Sequence, residues 1–279
     1  MLKVRIIPTL LCKDGLLFKG VGFNSWRRVG SILPAIKVYN QRQVDELIVV
    51  DITATQEKRG PDFESVKDFS SECFVPLTVG GGVRTVDDIE KLLKAGADKV
   101  SINSAAYNGL ELITQGAARF GSQCIVASVD VRVSHSGEYI CYSNSGTRDT
   151  GQEVISWVRR VQEHGAGEIL LTSIERDGTM QGYDLALIQQ VTQTVSIPVI
   201  ASGGAGSYED IYQAITIGKV SAVGIASMFH FTEQTPLEAK YYLAKKNIPV
   251  RLPVSVTHGL RSGYQKPGFK NIEKTVLSS

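Results

Sequence analysis

Eight short runs of apolar, β-branched residues punctuate this chain: Val4 to Leu11, Leu47 to Ile52, Pro76 to Val79, Lys99 to Ile102, Cys124 to Asp130, Glu168 to Ser173, Pro198 to Ala201 and Ala222 to Ala226. Runs that are apolar on both faces suit strands buried in a parallel sheet, and parallel neighbours need crossover connections of about a dozen residues or more. The intervening segments read as helices. Between the third and fourth runs, Val86, Ile89, Leu92 and Leu93 fall at helical spacing, opened by Thr85 as an N-cap and closed by Gly96. Eight strand–loop–helix units within about 250 residues predict an α/β chain folded as a (β/α)8, or TIM, barrel rather than an open doubly wound sheet.

The two halves of the chain also resemble each other. Pro76-Leu77-Thr78-Val79-Gly80-Gly81-Gly82 returns 122 residues on as Pro198-Val199-Ile200-Ala201-Ser202-Gly203-Gly204, and the same shift lays Glu46-Leu47-Ile48 on Glu168-Ile169-Leu170. A repeat this long exceeds a solenoid unit and is read as two four-stranded half-barrels closing one barrel. The expected organisation is a barrel over 1–251, with half-barrels of about 1–121 and 122–251, and an appended tail over 252–279 where the periodicity ends.

Composition narrows the function. Of the 279 residues, 43% are hydrophobic and 21% charged, enough apolar material for a core and too little charge for a disordered chain. A net charge of +2 without a long basic run does not support nucleic-acid binding, so the expected partner anions are small. Cys12, Cys73, Cys124 and Cys141 form no CxxC pair and only four histidines occur, which argues against a zinc site or a disulfide framework. A reducing, cytoplasmic setting is expected, with no membrane span, because no run of about 18 apolar residues occurs. No metal or organic cofactor is implied.

In a barrel the chemistry sits in the loops after the strands. Gly80, Gly81 and Gly82 follow the third strand; Gly203, Gly204 and Gly206 follow the seventh, and both sets lead into helices. Glycines let backbone N–H groups approach an anion, and a helix N-terminus adds partial positive charge. Asn103 and Ser104 after strand four, and Ser227 after strand eight, stand beside these loops. The pattern predicts two phosphate cradles on opposite sides of one mouth, suited to an elongated ligand with a phosphate at each end. Asp51, Asp130 and Asp177 are the acidic candidates at strand ends, with Lys19 in the first loop and Thr172 and Ser202 at the mouth. A carboxylate there acts as a general acid or base if its pKa moves toward neutrality. The histidines suggest no catalytic triad. At the opposite end, Arg5, Glu46, Lys99 and Glu168 begin their strands and are placed to form a ring of charges across the axis, a gate for a small neutral molecule.

On these residues the chain closely resembles the cyclase subunit family of imidazole glycerol phosphate synthase, from Met1 to about Arg251. The resemblance rests on long strings: Leu77 to Gly82, Gly96 to Ala106, Phe120 to Gln123, Gly165 to Ser173 and Ile200 to Gly206. It implies a barrel docked bottom-first on a glutaminase subunit as a heterodimer, with ammonia released into the lumen. It further implies that Arg5, Glu46, Lys99 and Glu168 match the gate and that Asp98 lies on the docking face. Gly82, Asn103 and Ser104 would hold one phosphate of a phosphorylated small molecule, and Asp177, Gly178, Gly203, Gly204 and Ser227 would surround the other.

One departure is chemical. The family closes its ring with two aspartates, at the ends of strands one and five; Asp130 matches the second. The family's Ile-Ile-Pro-Cys-Leu-Asp aligns without gaps on Ile6-Ile7-Pro8-Thr9-Leu10-Leu11, so Leu11 stands where the first belongs. Leucine transfers no proton, and losing a positioned acid or base typically costs about 10² to 10⁴ in rate. The resulting expectation is a paralogue that docks a glutaminase and passes ammonia to another acceptor, as in the related barrels of surface-polysaccharide gene sets, where a third amidotransferase subunit converts an acetamido sugar to an amidine. The alternatives are an active cyclase of histidine biosynthesis relying on Asp130, and a non-catalytic scaffold that switches on the glutaminase.

Overall fold

The computed structural model describes residues 2–253. From the N-terminus, β1 (Arg5–Lys13) runs into an antiparallel hairpin, β2 (Leu16–Val21) and β3 (Asn24–Ser31), before α1 (Ile32–Gln41). Three plain units follow: β4 (Leu47–Asp51) with α2 (Phe63–Glu72), β5 (Leu77–Gly80) with α3 (Val86–Lys94), and β6 (Lys99–Ile102) with α4 (Glu111–Phe120). The second half repeats the plan. β7 (Ile125–Val133) leads into the hairpin β8 (Tyr139–Ser143) and β9 (Arg148–Glu153) and then α5 (Val154–Glu163). After it come β10 (Glu168–Ser173) with α6 (Leu185–Thr194), β11 (Val199–Ser202) with α7 (Tyr208–Thr216), and β12 (Ala222–Ile225) with the short α8 (Ser227–Phe231) and α9 (Pro236–Lys245).

The eight expected strands are β1, β4, β5, β6, β7, β10, β11 and β12, each parallel to its neighbours, and β1 bonds to both β4 and β12 so that the sheet closes. This is the (β/α)8 barrel. The four hairpin strands were not expected from the sequence, although Asp14-Gly15 between two apolar runs is a turn signal: both residues take positive φ, 50° and 71°, as a tight antiparallel turn requires.

Strand alternation sorts the side chains into two cores. On β1, Ile6 and Leu10 join the large cluster packed between strands and helices, whereas Ile7 turns inward. Inside, Ile7, Ile48, Val126, Leu170, Ile200 and Ala222 fill the lumen at mid-height. Helix α3 starts as its sequence indicates, on a reciprocal capping box between Thr85 and Asp88. The tail, from residue 254 onward, lies outside the described residues.

A buried ion pair ties α9 to the first half of the barrel. Lys240 of α9 is 1% exposed and donates from Nζ to Asp45 Oδ1 at 2.6 Å and to the Gln43 carbonyl at 2.7 Å, while Asp45 Oδ2 accepts the Ile6 amide at 2.9 Å. Burial lowers the Lys240 pKa and Asp45 opposes the shift. Removing one partner strands a buried charge, so Lys240→Met is expected to cost about 3–5 kcal/mol in urea unfolding, with partial recovery in the double variant Lys240→Met/Asp45→Asn. An unchanged urea midpoint for the single variant would refute this assignment.

Candidate functional site

The upper end of the barrel holds a cavity whose lining brings together Lys19, Asp51, Gly82, Asn103, Ser104, Asp130, Thr172, Asp177, Gly178, Ser202, Gly203, Gly204 and Ser227, while Gly80 and Gly206 of the two glycine loops lie outside it. The two glycine loops match in detail. A Cβ on Gly81 would sit 2.4 Å from the Asp51 carbonyl oxygen, and one on Gly203 would sit 2.6 Å from that of Ser173, the position 122 residues further along. Both glycines take positive φ, 104° and 89°, so each loop turns tightly against the end of the preceding strand.

Both helices that follow the glycine loops open on reciprocal capping boxes, Thr85 with Asp88 and Ser207 with Asp210. Asp88 accepts from the Arg84 and Thr85 amides, and Asp210 from those of Gly206 and Ser207. The Ser227 hydroxyl is buried and has no hydrogen-bond partner among the described residues.

The three mouth carboxylates have different environments. Asp51 accepts the Thr53 and Ala54 amides at 3.0 Å each and two bonds from the Arg59 guanidinium at 2.8 and 3.2 Å. Burial alone would raise its pKa, but Arg59 and the amides hold it below the usual carboxylate value. Asp177 is paired with the fully buried Lys19, Nζ to Oδ2 at 2.5 Å. Asp130 has no cationic partner among its hydrogen bonds: its Oδ2 accepts from Asn103 Nδ2 at 3.0 Å. Burial, then the nearby Asp177 charge, push its pKa up to about 7, against a hydrogen bond from Thr172 that lowers it. Asp130 is thus the mouth carboxylate poised to exchange a proton near neutrality.

Leu11 lies at the top of β1 in the same cavity, in register with Val50 and Phe18. Asp14 occupies the turn beyond β1, exposed and outside that cavity. The two hairpins meet as a roof: Phe23 lies over Gly146 in the β8–β9 turn, and the Ser145 hydroxyl donates to the Ile52 carbonyl at 2.8 Å. Phe23 and Trp26 line the cavity, as do Thr9, Ser101 and Ser128. None of these five, nor Arg59, was singled out from the sequence. Period-two alternation on β1 and β7 carried the signal for Thr9 and Ser128, two residues below Leu11 and Asp130.

At the lower end, the four expected gate residues form a closed ring. Arg5 reaches Glu46 at 2.7 Å and also pairs with Glu168, while Lys99 reaches Glu46 at 3.0 Å and Glu168 at 2.8 Å. Thr78 adds a hydroxyl bond to Glu46 at 2.7 Å. Asp98, one residue before Lys99, is exposed and accepts the Leu77 amide at 2.8 Å. Among the described residues, no group of three His, Cys, Asp or Glu side chains is placed to hold a metal ion, and no helix is long and apolar enough to cross a membrane.

The raised Asp130 pKa makes a signed prediction. Below the ordinary aspartate value of 3.8 the folded and unfolded chains are both protonated there, and between 3.8 and about 7 only the folded chain is. Stability therefore falls as pH rises across that window. Asp130→Asn is expected to raise Tm by several degrees at pH about 8.5 and little at pH about 3.5, for a shift worth up to roughly 4 kcal/mol. Equal effects at both pH values would contradict a half-buried, proton-holding Asp130.

Comparison with known proteins agrees with this geometry. Residues 5–235 match the family described as "Histidine biosynthesis protein". Among curated relatives, the imidazole glycerol phosphate synthase subunit HisF of Natranaerobius thermophilus is 50% identical over 252 residues, covering 90% of this chain and all of the relative. The HisF subunits of Chlorobaculum parvum, 48% identical over 252 residues, and Methanosphaerula palustris, 46% over 269, likewise cover 90% of this chain and are covered in full. With its closed parallel barrel, paired glycine loops and charge ring, the chain belongs to the HisF family of imidazole glycerol phosphate synthase subunits.

Proposed function

We propose that this chain is a HisF-type barrel that docks a glutaminase by its lower face and conducts ammonia through the lumen to an acceptor other than the family's ribulosyl bisphosphate. The observation that carries the reading is an asymmetry between the two ends. The lower end keeps the complete ring of Arg5, Glu46, Lys99 and Glu168, two cations each bridging two carboxylates. The upper end keeps Asp130 and both glycine loops but carries Leu11 in place of the second proton-transfer group.

In this reading the ring is a gate for a neutral molecule. Glu46 and Glu168 are 2% and 5% exposed, and their charges are balanced only by the two cations between them. Opening the ring requires breaking some of these bonds while the rest hold, which a partner seated below can drive through Arg5, Lys99 and the neighbouring Asp98. Ammonia that passes reaches an apolar layer where ammonium would be strongly disfavoured, so the lumen selects the uncharged form. At the mouth Asp130 can give or take one proton near neutrality. Ring closure in the family uses two such groups, whereas amidination of an acceptor held by another protein makes no such demand on the barrel.

The acceptor we favour is an acetamido sugar carried by a third amidotransferase subunit in surface-polysaccharide synthesis. Gly82, Asn103 and Ser104 on one side, and Gly178, Gly203, Gly204 and Ser227 on the other, are then a ligand site for a phosphorylated small molecule, with Asp177 as a positioning group through Lys19. The rival is an active cyclase of histidine biosynthesis, favoured by the near-neutral Asp130 and by the relatives' identity.

Glutamine labelled with ¹⁵N at its amide tests the conduit in the reconstituted complex of barrel, glutaminase and sugar-modifying subunit. The label is expected in the sugar. With Lys99→Ala, glutamate formation should persist while label in the sugar per glutamate falls and free labelled ammonium rises. Absence of label in the sugar with the unmodified barrel would overturn the reading, and unchanged transfer with Lys99→Ala would remove the gate from it.

A further inference from the structure

Each half of the barrel raises one antiparallel hairpin over the mouth, and each hairpin ends in a strand with an unpaired outer edge: β3 bonds only to β2, and β9 only to β8. The two edge strands are built differently. On β9, Thr150 donates to the Cys141 carbonyl at 2.7 Å, Asp149 accepts the Gly151 amide at 2.7 Å, and Glu153 accepts the Ile155 and Ser156 amides at 2.8 Å each. On β3, the residues from Asn24 to Arg28 are all exposed, and among the described residues none of their side chains makes a hydrogen bond or an ion pair.

The hairpin that carries β3 is nonetheless held in place. The Gly22 amide donates to the Asp177 carbonyl at 2.8 Å, Phe23 lies against Gly146, and the Arg27 guanidinium sits 3.6 Å over the Phe231 ring. An anchored, exposed strand with a free edge is a template for another chain. Its charge is also one-sided. Arg27 and Arg28 lie on the strand, and Arg176 and Arg148 are exposed one and two residues from the hairpin's contacts at Asp177 and Gly146. None of the four has a carboxylate partner among the described residues, whereas Glu57 and Glu175 on the same rim are already paired with Arg59 and Arg132. Val21 and Trp26, 51% and 38% exposed, supply an apolar part.

We propose that β3, with the arginines around its hairpin tip, is the face on which the subunit holding the nitrogen acceptor docks, through an acidic surface with an apolar centre. The proposal rests on the conduit reading, in which ammonia leaves by the mouth and an acceptor held by another protein has to be presented there. Charge opposes two other occupants. A second copy of this chain, pairing edge to edge, would bring the arginines of the two copies together. The chain's own segment 254–279 carries Arg261, Lys266, Lys270 and Lys274 against Glu273, so it is basic as well. Exposed ion pairs add little affinity singly, and a cluster of one sign acts chiefly by selecting and steering its partner.

The chain has two tryptophans, of which Trp26 is exposed while Trp157 is 3% exposed and stacked on Tyr107. With fluorotryptophan in the barrel, its complex with the glutaminase carries two fluorine reporters. Adding the purified, unlabelled sugar-modifying subunit should shift the Trp26 signal, leave that of Trp157, and slow amide hydrogen exchange over 24–31. Arg28→Glu should weaken binding about ten-fold at low salt, with the gap narrowing as salt rises, while Arg28→Lys should bind as the unmodified chain does. Glutaminase docking should be the same in both variants, because Arg28 lies at the other end of the barrel. Binding that leaves Trp26 and the 24–31 amides unchanged, or equal affinity for Arg28→Glu, would overturn the proposal. Transfer of labelled nitrogen to the sugar with this face unengaged would remove the docking face and leave the conduit reading. Docking on the face without transfer would do the reverse, and no binding of that subunit at all would overturn both.

Discussion

Four charges at the foot of the barrel constrain much of what lies above them. Arg5, Lys99 and Glu168 open β1, β6 and β10 and Glu46 immediately precedes β4, so each finds its counter-charge across the barrel on another strand or its lead-in. A buried charge without its partner costs about 3–5 kcal/mol, so the ring fixes the register of four strands at once. Slipping any of them by one residue would turn its charge into the apolar layer between strands and helices. The same period-two alternation that points these charges inward then sets, level by level, an apolar layer and the mouth.

Each level has a different chemistry because its residues differ, while the backbone beneath them stays the same. The apolar layer of Ile7, Ile48, Val126, Leu170, Ile200 and Ala222 excludes charge. The mouth holds three carboxylates whose environments separate them: one ionised by Arg59, one paired with Lys19, and one near neutrality. Burial raises the pKa of Asp177 as well as that of Asp130, while Asp51 is held low, and opposite shifts within one site are how identical groups take distinct roles. With Leu11 in the remaining position, the proton chemistry of the mouth rests on Asp130.

Much of this was legible in the sequence, for physical reasons. Strands buried on both faces leave continuous β-branched runs, so all eight barrel strands are readable, and the 122-residue repeat carries the paired loops in the sequence itself. The hairpins were less visible because their residues are mixed in polarity; β3, for instance, is largely exposed. Partnerships across the barrel, such as Lys19 with Asp177 over 158 positions, have no local signature. Thr9 was legible in principle, since alternation from Leu11 points to it, but a lone threonine in a strand carries no chemical signal without its cavity.

The central claim is that the barrel has kept its conduit and given up ring closure, and the most direct measurement is cyclase turnover. The purified chain would be assayed with the family's ribulosyl bisphosphate substrate and excess ammonium salt, which bypasses the glutaminase, beside a Leu11→Asp variant. The account predicts turnover for the unmodified chain about 10² to 10⁴ below that of a HisF relative, with a substantial part regained on restoring the carboxylate. Turnover at the relatives' level with Leu11 in place would contradict it and identify the chain as a working cyclase that needs only Asp130.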